Sequence, residues 1–454
     1  MSKLFGTDGI RGRTNTEPMT VETILRVAKA MGYILQKSNG KKRHKVLIGK
    51  DTRLSGYMFE TALESGFCSM GVDVLLVGPI PTPAIAYLTE SMKADVGIVI
   101  SASHNPFDDN GIKFFNEVGF KISNEMEAEI TRIVSNPHET AELHADPSDI
   151  GKAKRLEDAN GRYISYLKQF LPPHLTLDGV RIVLDCANGS GYKVGPTIFT
   201  ELGATVIPIG VTPDGKNINE SCGALHPEGL KKKVLEEKAD IGIALDGDAD
   251  RVMFCDGNGN TYDGDDFLSI IADQVKIYPE VKHGLVGTVM TNFGLEKKLG
   301  KINIPFYRSD VGDRFVVEKM KETKAMFGAE ASGHIISLQR STTGDGILSA
   351  ILLLNILREQ NKPLSAYHNS FERLPHEIRN VRVKEKKPFD QMPNVQKSIA
   401  DAEKKLHGNG RVLVRYSGTE AKARVMVESE DENLVHSLVA EISTVIENEI
   451  GVSK

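Results

Sequence analysis

Asp246, Asp248 and Asp250 alternate along the chain directly after five apolar residues, Ile241 to Leu245. This reads as a buried strand whose end carries three carboxylates that can converge. Anions held together repel one another and call for a cation, and oxygen-only ligands suit a hard ion such as Mg²⁺. A calcium loop that begins D-x-D-x-D is excluded. It needs Gly at its sixth position and Glu at its twelfth, where Arg251 and Gly257 stand. A polar turn after a strand is the ordinary alternative.

A second strand-end loop mirrors the first. Val96 to Ile100 leads into Ser101-Ala102-Ser103-His104-Asn105-Pro106. In parallel sheets, sites form beyond the carboxyl ends of strands. A serine there can accept a phosphoryl group, whose oxygens can then ligate a metal. The same residues also serve as ordinary helix N-caps. His104 alone is a weak signal, and Lys113 in Asn110-Gly111-Ile112-Lys113 is either a phosphate counter-charge or a solvated lysine. Near the start, Phe5 to Gly12 combines three glycines with Arg11, which suits a backbone closing on an anion. Ala329-Glu330-Ala331-Ser332-Gly333-His334 offers a carboxylate and a hydroxyl that can bond to sugar hydroxyls. Arg415-Tyr416-Ser417-Gly418-Thr419-Glu420, with Arg424 beyond, offers a phosphate nest or a plain hairpin loop.

These loops need strands to carry them. The first stretch has Val46 to Ile48, Val72 to Val77 and Val96 to Ile100; the second has Val180 to Leu184, Thr205 to Ile209 and Ile241 to Leu245. The third has Leu285 to Met290, Ile304 to Tyr307 and Ala325 to Phe327. Short apolar runs alternating with amphipathic segments predict α/β units. The expected fold is three related α/β domains with mixed sheets and a smaller C-terminal α+β lid domain. The expected boundaries are 1–150, 151–253, 254–368 and 369–454, with Asn136 to Asp149 as a linker. In the last domain, Glu377 to Val383, Val412 to Arg415 and Arg424 to Glu428 read as strands, and Val395 to Leu406 and Leu434 to Ile450 as helices. Ile347 to Leu357 reads as a core helix.

Composition narrows the function classes. A chain of 454 residues with 40% hydrophobic and 26% charged content suits a globular protein with several cores. Its net charge of −5 leaves no nucleic-acid footprint. Four dispersed cysteines without CxxC spacing point to a reducing compartment and no zinc site. No apolar stretch after Met1 resembles a signal peptide, and no run is long enough for a membrane span, so a cytoplasmic protein is expected.

Taken together, the five motifs resemble the α-D-phosphohexomutase superfamily. The matching residues are Phe5 to Gly12, Ser101 to Pro106, Asp246 to Arg251, Glu330 to His334 and Arg415 to Glu420. Val311 to Arg314 and Thr342 to Gly346 match as well, so the likeness covers nearly the whole chain. It implies that Ser103 is the phosphoserine and, with Asp246, Asp248 and Asp250, binds one Mg²⁺ per chain. It implies that Arg11, His104, Lys113 and Arg251 line the transfer site. Glu330, Ser332 and His334 would contact sugar hydroxyls. Arg415, Ser417, Gly418, Thr419 and Arg424 would hold the substrate's non-reacting phosphate. The implied reaction converts glucosamine 6-phosphate to glucosamine 1-phosphate, with glucosamine 1,6-bisphosphate or a related bisphosphate as activator. The implied partner is a phosphosugar, and a homodimer stays open.

Mannose or glucose phosphates are the alternative substrates; the Phe5 to Gly12 motif favours glucosamine. An Mg²⁺-dependent phosphatase and a sugar-phosphate sensor are the rivals from other classes. This chain departs from the family pattern at Ala249, where Gly is common, at Ala331, where Gln is common, and at Ala421-Lys422-Ala423, where Pro and apolar residues usually follow.

Overall fold

The computed structural model describes residues 4–6, 8–38, 43–417 and 421–452. They group into two compact units, one of residues 1–288 and 307–368 and the other of 289–306 and 369–454.

The first unit contains three sheets. The first is built from Ile10–Arg13 (β1), His44–Lys50 (β2), Val72–Pro79 (β3), Val96–Ile100 (β4), Asp109–Asn116 (β5) and Ala153–Arg155 (β6), in the order β1-β5-β4-β2-β3-β6. Arg181–Asp185 (β7), Thr205–Ile209 (β8), Ile241–Leu245 (β9), Val252–Asp256 (β10) and Thr261–Tyr262 (β11) make the second, ordered β11-β10-β9-β7-β8. The third holds Leu285–Thr288 (β12), Phe306–Ser309 (β13), Phe327–Ala329 (β14) and Ile335–Ser337 (β15), ordered β13-β12-β14-β15.

One pattern recurs in all three: β5-β4-β2-β3, β10-β9-β7-β8 and β15-β14-β12-β13. Each time a strand lies parallel to its inner neighbour and then turns back into an antiparallel partner. The expectation of three related α/β domains with mixed sheets is therefore met at the level of topology. The three loops singled out by their chemistry occupy the same place in each, between β4 and β5, β9 and β10, and β14 and β15.

Apolar strands covered by helices make the core. Every residue of β4 and β9 is buried. On one face of the first sheet, Val46, Ile48, Val74 and Ile98 pack with Val27, Phe59, Leu63 and Phe67 of two helices. Burial of such a side chain contributes about 1.5–3 kcal/mol. On the other face the helix Thr82–Ser91 approaches closely because Gly97 carries no Cβ, which would overlap Ile85 and Thr89. That approach brings Thr82 to the aspartate loop.

The segment Asn136 to Asp149 is not the plain linker expected. It holds a helix, Pro137–Glu142, and a short 3-10 turn, Pro147–Asp149. Ala145, within the segment, and Gly151, just beyond it, donate backbone hydrogen bonds of 2.8 and 2.9 Å to the carbonyls of Ser69 and Cys68. Those carbonyls end a helix and lack partners within it. β6 then pairs with β3 through backbone alone, so its three exposed side chains give no pattern to read.

The second unit has a three-stranded antiparallel sheet, His376–Arg382 (β16), Gly410–Tyr416 (β17) and Lys422–Ser429 (β18), with β18 in the centre. The helices Pro393–Leu406 and Glu432–Ile450 supply Val395, Leu406, Leu438 and Ile442 to its core. The helix Phe293–Lys301, which follows β12 in the chain, belongs to this unit.

Candidate active site

Ser103 adopts a left-handed backbone conformation, φ 51°. A non-glycine residue held there is strained and needs support. Ser101 Oγ accepts the Ser103 N–H at 2.9 Å and donates to Asp51 Oδ2 at 2.5 Å. Asp51 pairs with Arg53, whose side chain is fully buried. Arg53 Nη2 donates to the carbonyls of Ser103 and Asn105 at 3.2 and 2.5 Å. Asn219 Nδ2 donates to the same two carbonyls at 2.9 and 3.2 Å. Ser101 Oγ is thus committed to holding the loop. Ser103 Oγ instead points at the aspartates and donates to Asp246 Oδ2 at 2.6 Å.

The aspartate loop meets the serine loop face to face. A Cβ on Gly247 would lie 2.6 Å from the Ser103 carbonyl, so only glycine allows this approach. Carboxylate oxygens of Asp246, Asp248 and Asp250 lie within 4.8 Å of one another. Their outer oxygens are engaged. Asp246 Oδ1 accepts the Arg251 N–H at 3.1 Å. Asp248 Oδ2 accepts Thr82 Oγ1 at 2.7 Å and Lys113 Nζ at 2.8 Å, and Lys113 reaches Asp250 Oδ2 at 3.2 Å. Asp248 Oδ1 and Asp250 Oδ1 are buried without a hydrogen-bond partner among the described residues. Burial and the neighbouring charges of Asp250 and Asp248 push the Asp246 carboxyl well above its usual range. Burial acts in the same sense on Asp250, but Lys113 and His334 outweigh it and hold that carboxyl well below. Converging carboxylate oxygens, two of them buried without a hydrogen-bond partner, fit a small hard divalent cation.

The cations expected here are present. Burial lowers the Lys113 pKa, and Asp248, Asp8 and Asp250 reverse this to hold it well above the usual lysine value. Arg11 pairs with Asp8. Arg251 Nε stands 3.9 Å from Asp250 Oδ1. His104 Nδ1 is 3.3 Å from Ser103 Oγ. Burial, with Arg251 and Arg11 nearby, pushes its pKa down to about 4, so the ring is neutral at pH 7.

In the third loop, Glu330 Oε1 accepts the Gly312 N–H at 2.9 Å. His334 is buried, and its Nε2 accepts the Gly344 N–H at 3.1 Å. The ring proton therefore sits on Nδ1, which faces Asp250 Oδ1 at 3.7 Å. Burial opposes charge on this ring, and Asp250 more than offsets it and raises the pKa. Ser332 is half-buried on the same loop.

In the second unit, Arg415 and Arg424 lie directly opposite on β17 and β18, with Asn380 of β16 next in the row. They line a cavity of about 360 Å³ together with Met290, Ile378, Leu413 and Met426. Like charges directly opposite on a sheet repel, and an anion relieves the repulsion. Ser417 is buried and its carbonyl accepts Lys386 Nζ at 2.6 Å. Gly418 and Thr419 lie outside the described residues. Lys422 opens β18 opposite Arg382.

Sequence reasoning assigned no role to Asp8, Asp51, Arg53, Thr82, Lys121, Asn219, Asp313 or Lys386. Asp51 and Arg53 directly follow β2, so the strand-end rule that selected Ser101 and Ser103 applied to them equally. Asn219 and Thr82 act across more than a hundred residues of chain and carry no local signal.

Comparison with known proteins gives the family. The chain matches the phosphoglucomutase/phosphomannomutase models for α/β/α domains I, II and III over residues 2–141, 161–259 and 263–374, and the C-terminal domain over 379–445. It is 49% identical over 457 residues to the phosphoglucosamine mutase of Anaeromyxobacter dehalogenans, covering 99% of each chain. It is 50% identical over 452 residues to that of Geobacter sp., again covering 99% of both. Among solved structures it resembles a phosphoglucomutase/phosphomannomutase family protein from Burkholderia thailandensis in fold, with TM-score 0.82, 22% identity and 99% of each chain covered. An N-acetylphosphoglucosamine mutase from Aspergillus fumigatus, solved with GlcNAc-6P and magnesium, aligns at TM-score 0.65 and 18% identity over 98% of this chain and 95% of that one. The chain belongs to the phosphoglucomutase/phosphomannomutase family and groups there with the phosphoglucosamine mutases.

Proposed function

We propose that this chain interconverts glucosamine 6-phosphate and glucosamine 1-phosphate through a phosphoserine at Ser103 and a 1,6-bisphosphate intermediate. The observation that carries the reading is Ser103 Oγ, held in a strained loop and aimed at Asp246 from 2.6 Å. Relatives of about half identity over the full length carry the corresponding name.

In the forward direction the phosphoryl group leaves Ser103 Oγ for the free sugar hydroxyl. The P–Oγ bond breaks, a P–O bond to the sugar forms, and the hydroxyl proton is taken up by a neighbouring base. The bisphosphate reorients and its other phosphoryl group returns to Ser103. Such transfer depends mainly on positioning and charge stabilisation. Asp246, Asp248, Asp250 and Ser103 would hold Mg²⁺, which when bound neutralises charge on the transferring oxygens. Lys113, Arg11 and Arg251 supply fixed positive charge at the same place. His104, neutral at pH 7 and 3.3 Å from Ser103 Oγ, is suited to take up and return the proton. Glu330, Ser332 and His334 orient the sugar, and Arg415, Ser417 and Arg424 hold the phosphate that is not reacting. The partner is a phosphosugar, and a bisphosphate primes the serine.

A coupled assay of the purified protein with glucosamine, glucose and mannose 6-phosphates tests the reading. Turnover should be greatest with the glucosamine compound and require a bisphosphate. Release of free phosphate without isomerisation would instead identify a phosphatase.

A further inference from the structure

Lys121 lies just after β5, bridged to Phe115, with a side chain 13% exposed. Its ammonium joins two carboxylates far apart in sequence, Asp8 and Asp313, with Asp313 Oδ1 and Oδ2 at 2.6 and 2.5 Å. Beside it, Arg314 pairs with Glu127 and donates to the carbonyl of Ile122 at 3.3 Å, which pins the start of the helix Asp313–Thr323.

The contacts continue on both sides. Asp8 also holds Arg11 and sits 3.1 Å from Lys113, which reaches Asp248 and Asp250. Asp313 Oδ2 lies 3.6 Å from His334 Nε2, near but beyond hydrogen-bond distance, and His334 Nδ1 faces Asp250. The path Asp8, Lys113, Asp250, His334, Asp313, Lys121 closes on itself. It passes through the N-terminal motif, the hairpin after the serine loop, the aspartate loop and the sugar loop.

We infer that Lys121, together with Asp313, is a positioning residue for phosphoryl transfer: it fixes Asp8 and thereby the two cations, Lys113 and Arg11, that face the transferring group. The inference rests on the function proposed above. Asp8 divides one carboxylate among three cations. Without Lys121, it draws Lys113 and Arg11 closer, and Lys113 moves away from Asp248 and Asp250. Asp313 loses its counter-ion at the same time. A misplacement of about 1 Å is enough to cost roughly 100-fold in rate.

The test compares wild type, Lys121→Met, Lys121→Arg, Asp313→Asn and the double variant Lys121→Met/Asp313→Asn in the glucosamine 6-phosphate assay. Lys121→Met should lower kcat about 10- to 100-fold with KM within about threefold, because Lys121 acts through Asp8 and not on the substrate. Lys121→Arg keeps the charge and should recover most of kcat. The double variant should lose little more than the worse single one, since both changes break one contact path. Lys121→Gln gives the same comparison if Lys121→Met does not fold. A wild-type kcat in Lys121→Met overturns the inference, as does a KM that rises as far as kcat falls, a failure of Lys121→Arg to rescue, or additive losses. A wild type that does not isomerise the substrate overturns the function reading instead, so the two failures are distinct.

Discussion

Ala249 stands in the left-handed region, φ 58°, fully buried at the tip of the aspartate loop. Its N–H and carbonyl are both used, the first donating to Asp246 O and the second accepting from Gly346, each at 3.0 Å. The conformation is therefore set by the loop and not by the residue, and an alanine there is strained by about 1 kcal/mol or more relative to glycine. Ala249→Gly should raise unfolding stability by about 1 kcal/mol, against the usual loss on adding glycine. Chemical denaturation measures this, and a destabilised variant would mean that the Cβ packing outweighs the strain. Ser103 is strained in the same sense, but Arg53 and Asn219 grip its carbonyl. That grip was hidden in the sequence, because the partners lie fifty and more than a hundred residues away. The serine and the aspartates themselves were legible, since each follows a short apolar run that reads as a buried strand.

At the scale of elements, the buried helix Gly346–Gln360 begins at Asp345, whose side chain caps Leu348 N–H at 2.9 Å and accepts Tyr163 OH at 2.7 Å. Burial raises this carboxyl from its ordinary 3.8 to about 6. The folded state therefore holds the proton more tightly than the unfolded chain. The contribution of Asp345 to stability is full below pH 3.8 and is lost as pH rises through 6, a difference of about 3 kcal/mol. Asp345→Asn removes that dependence. The stability of the variant minus that of wild type should climb between pH 4 and 7, and a flat difference would show that Asp345 keeps an ordinary pKa. The row Asn380, Arg424, Arg415 on the C-terminal sheet carries a second prediction. A charged hydrogen bond to phosphate contributes about 1.5–3 kcal/mol, so Arg415→Ala should raise KM roughly 10- to 150-fold. An unchanged KM would end the phosphate-grip reading. The strands bearing these residues were legible from alternating β-formers. Their ends were less so: β17 spans Gly410–Tyr416 and β18 spans Lys422–Ser429, each longer at both ends than the strand expected from the sequence.

For the whole molecule, the repeated strand order explains how three chemically different loops come to meet. Each occupies the turn after the same parallel strand, so a single architecture delivers a serine, three aspartates and the Glu330 carboxylate. The sequence showed the rhythm of three α/β stretches but not the shared order, which depends on long-range pairing. It also did not show that residues 289–306 group with the C-terminal unit. Among the described residues no helix is long and apolar enough to cross a membrane. The three aspartates repel one another, and a bound Mg²⁺ would relieve that repulsion and stabilise the fold. Thermal scans should show Tm rising with added Mg²⁺, with about 2.7 kcal/mol of stabilisation at a hundredfold excess over Kd. Asp248→Asn should lose most of that rise, and an equal rise in the variant would remove Asp248 from the ligand set.

The most direct test is the intact mass of the protein, followed through one turnover. Protein primed with glucosamine 1,6-bisphosphate should carry an adduct of about 80 Da, one phosphoryl group. Peptide mapping should place it on Ser103, and Ser103→Ala should show neither adduct nor isomerisation. On mixing the primed protein with glucosamine 6-phosphate, the adduct should discharge and then return as glucosamine 1-phosphate accumulates. An adduct on Ser101, or isomerisation by Ser103→Ala, would contradict the account.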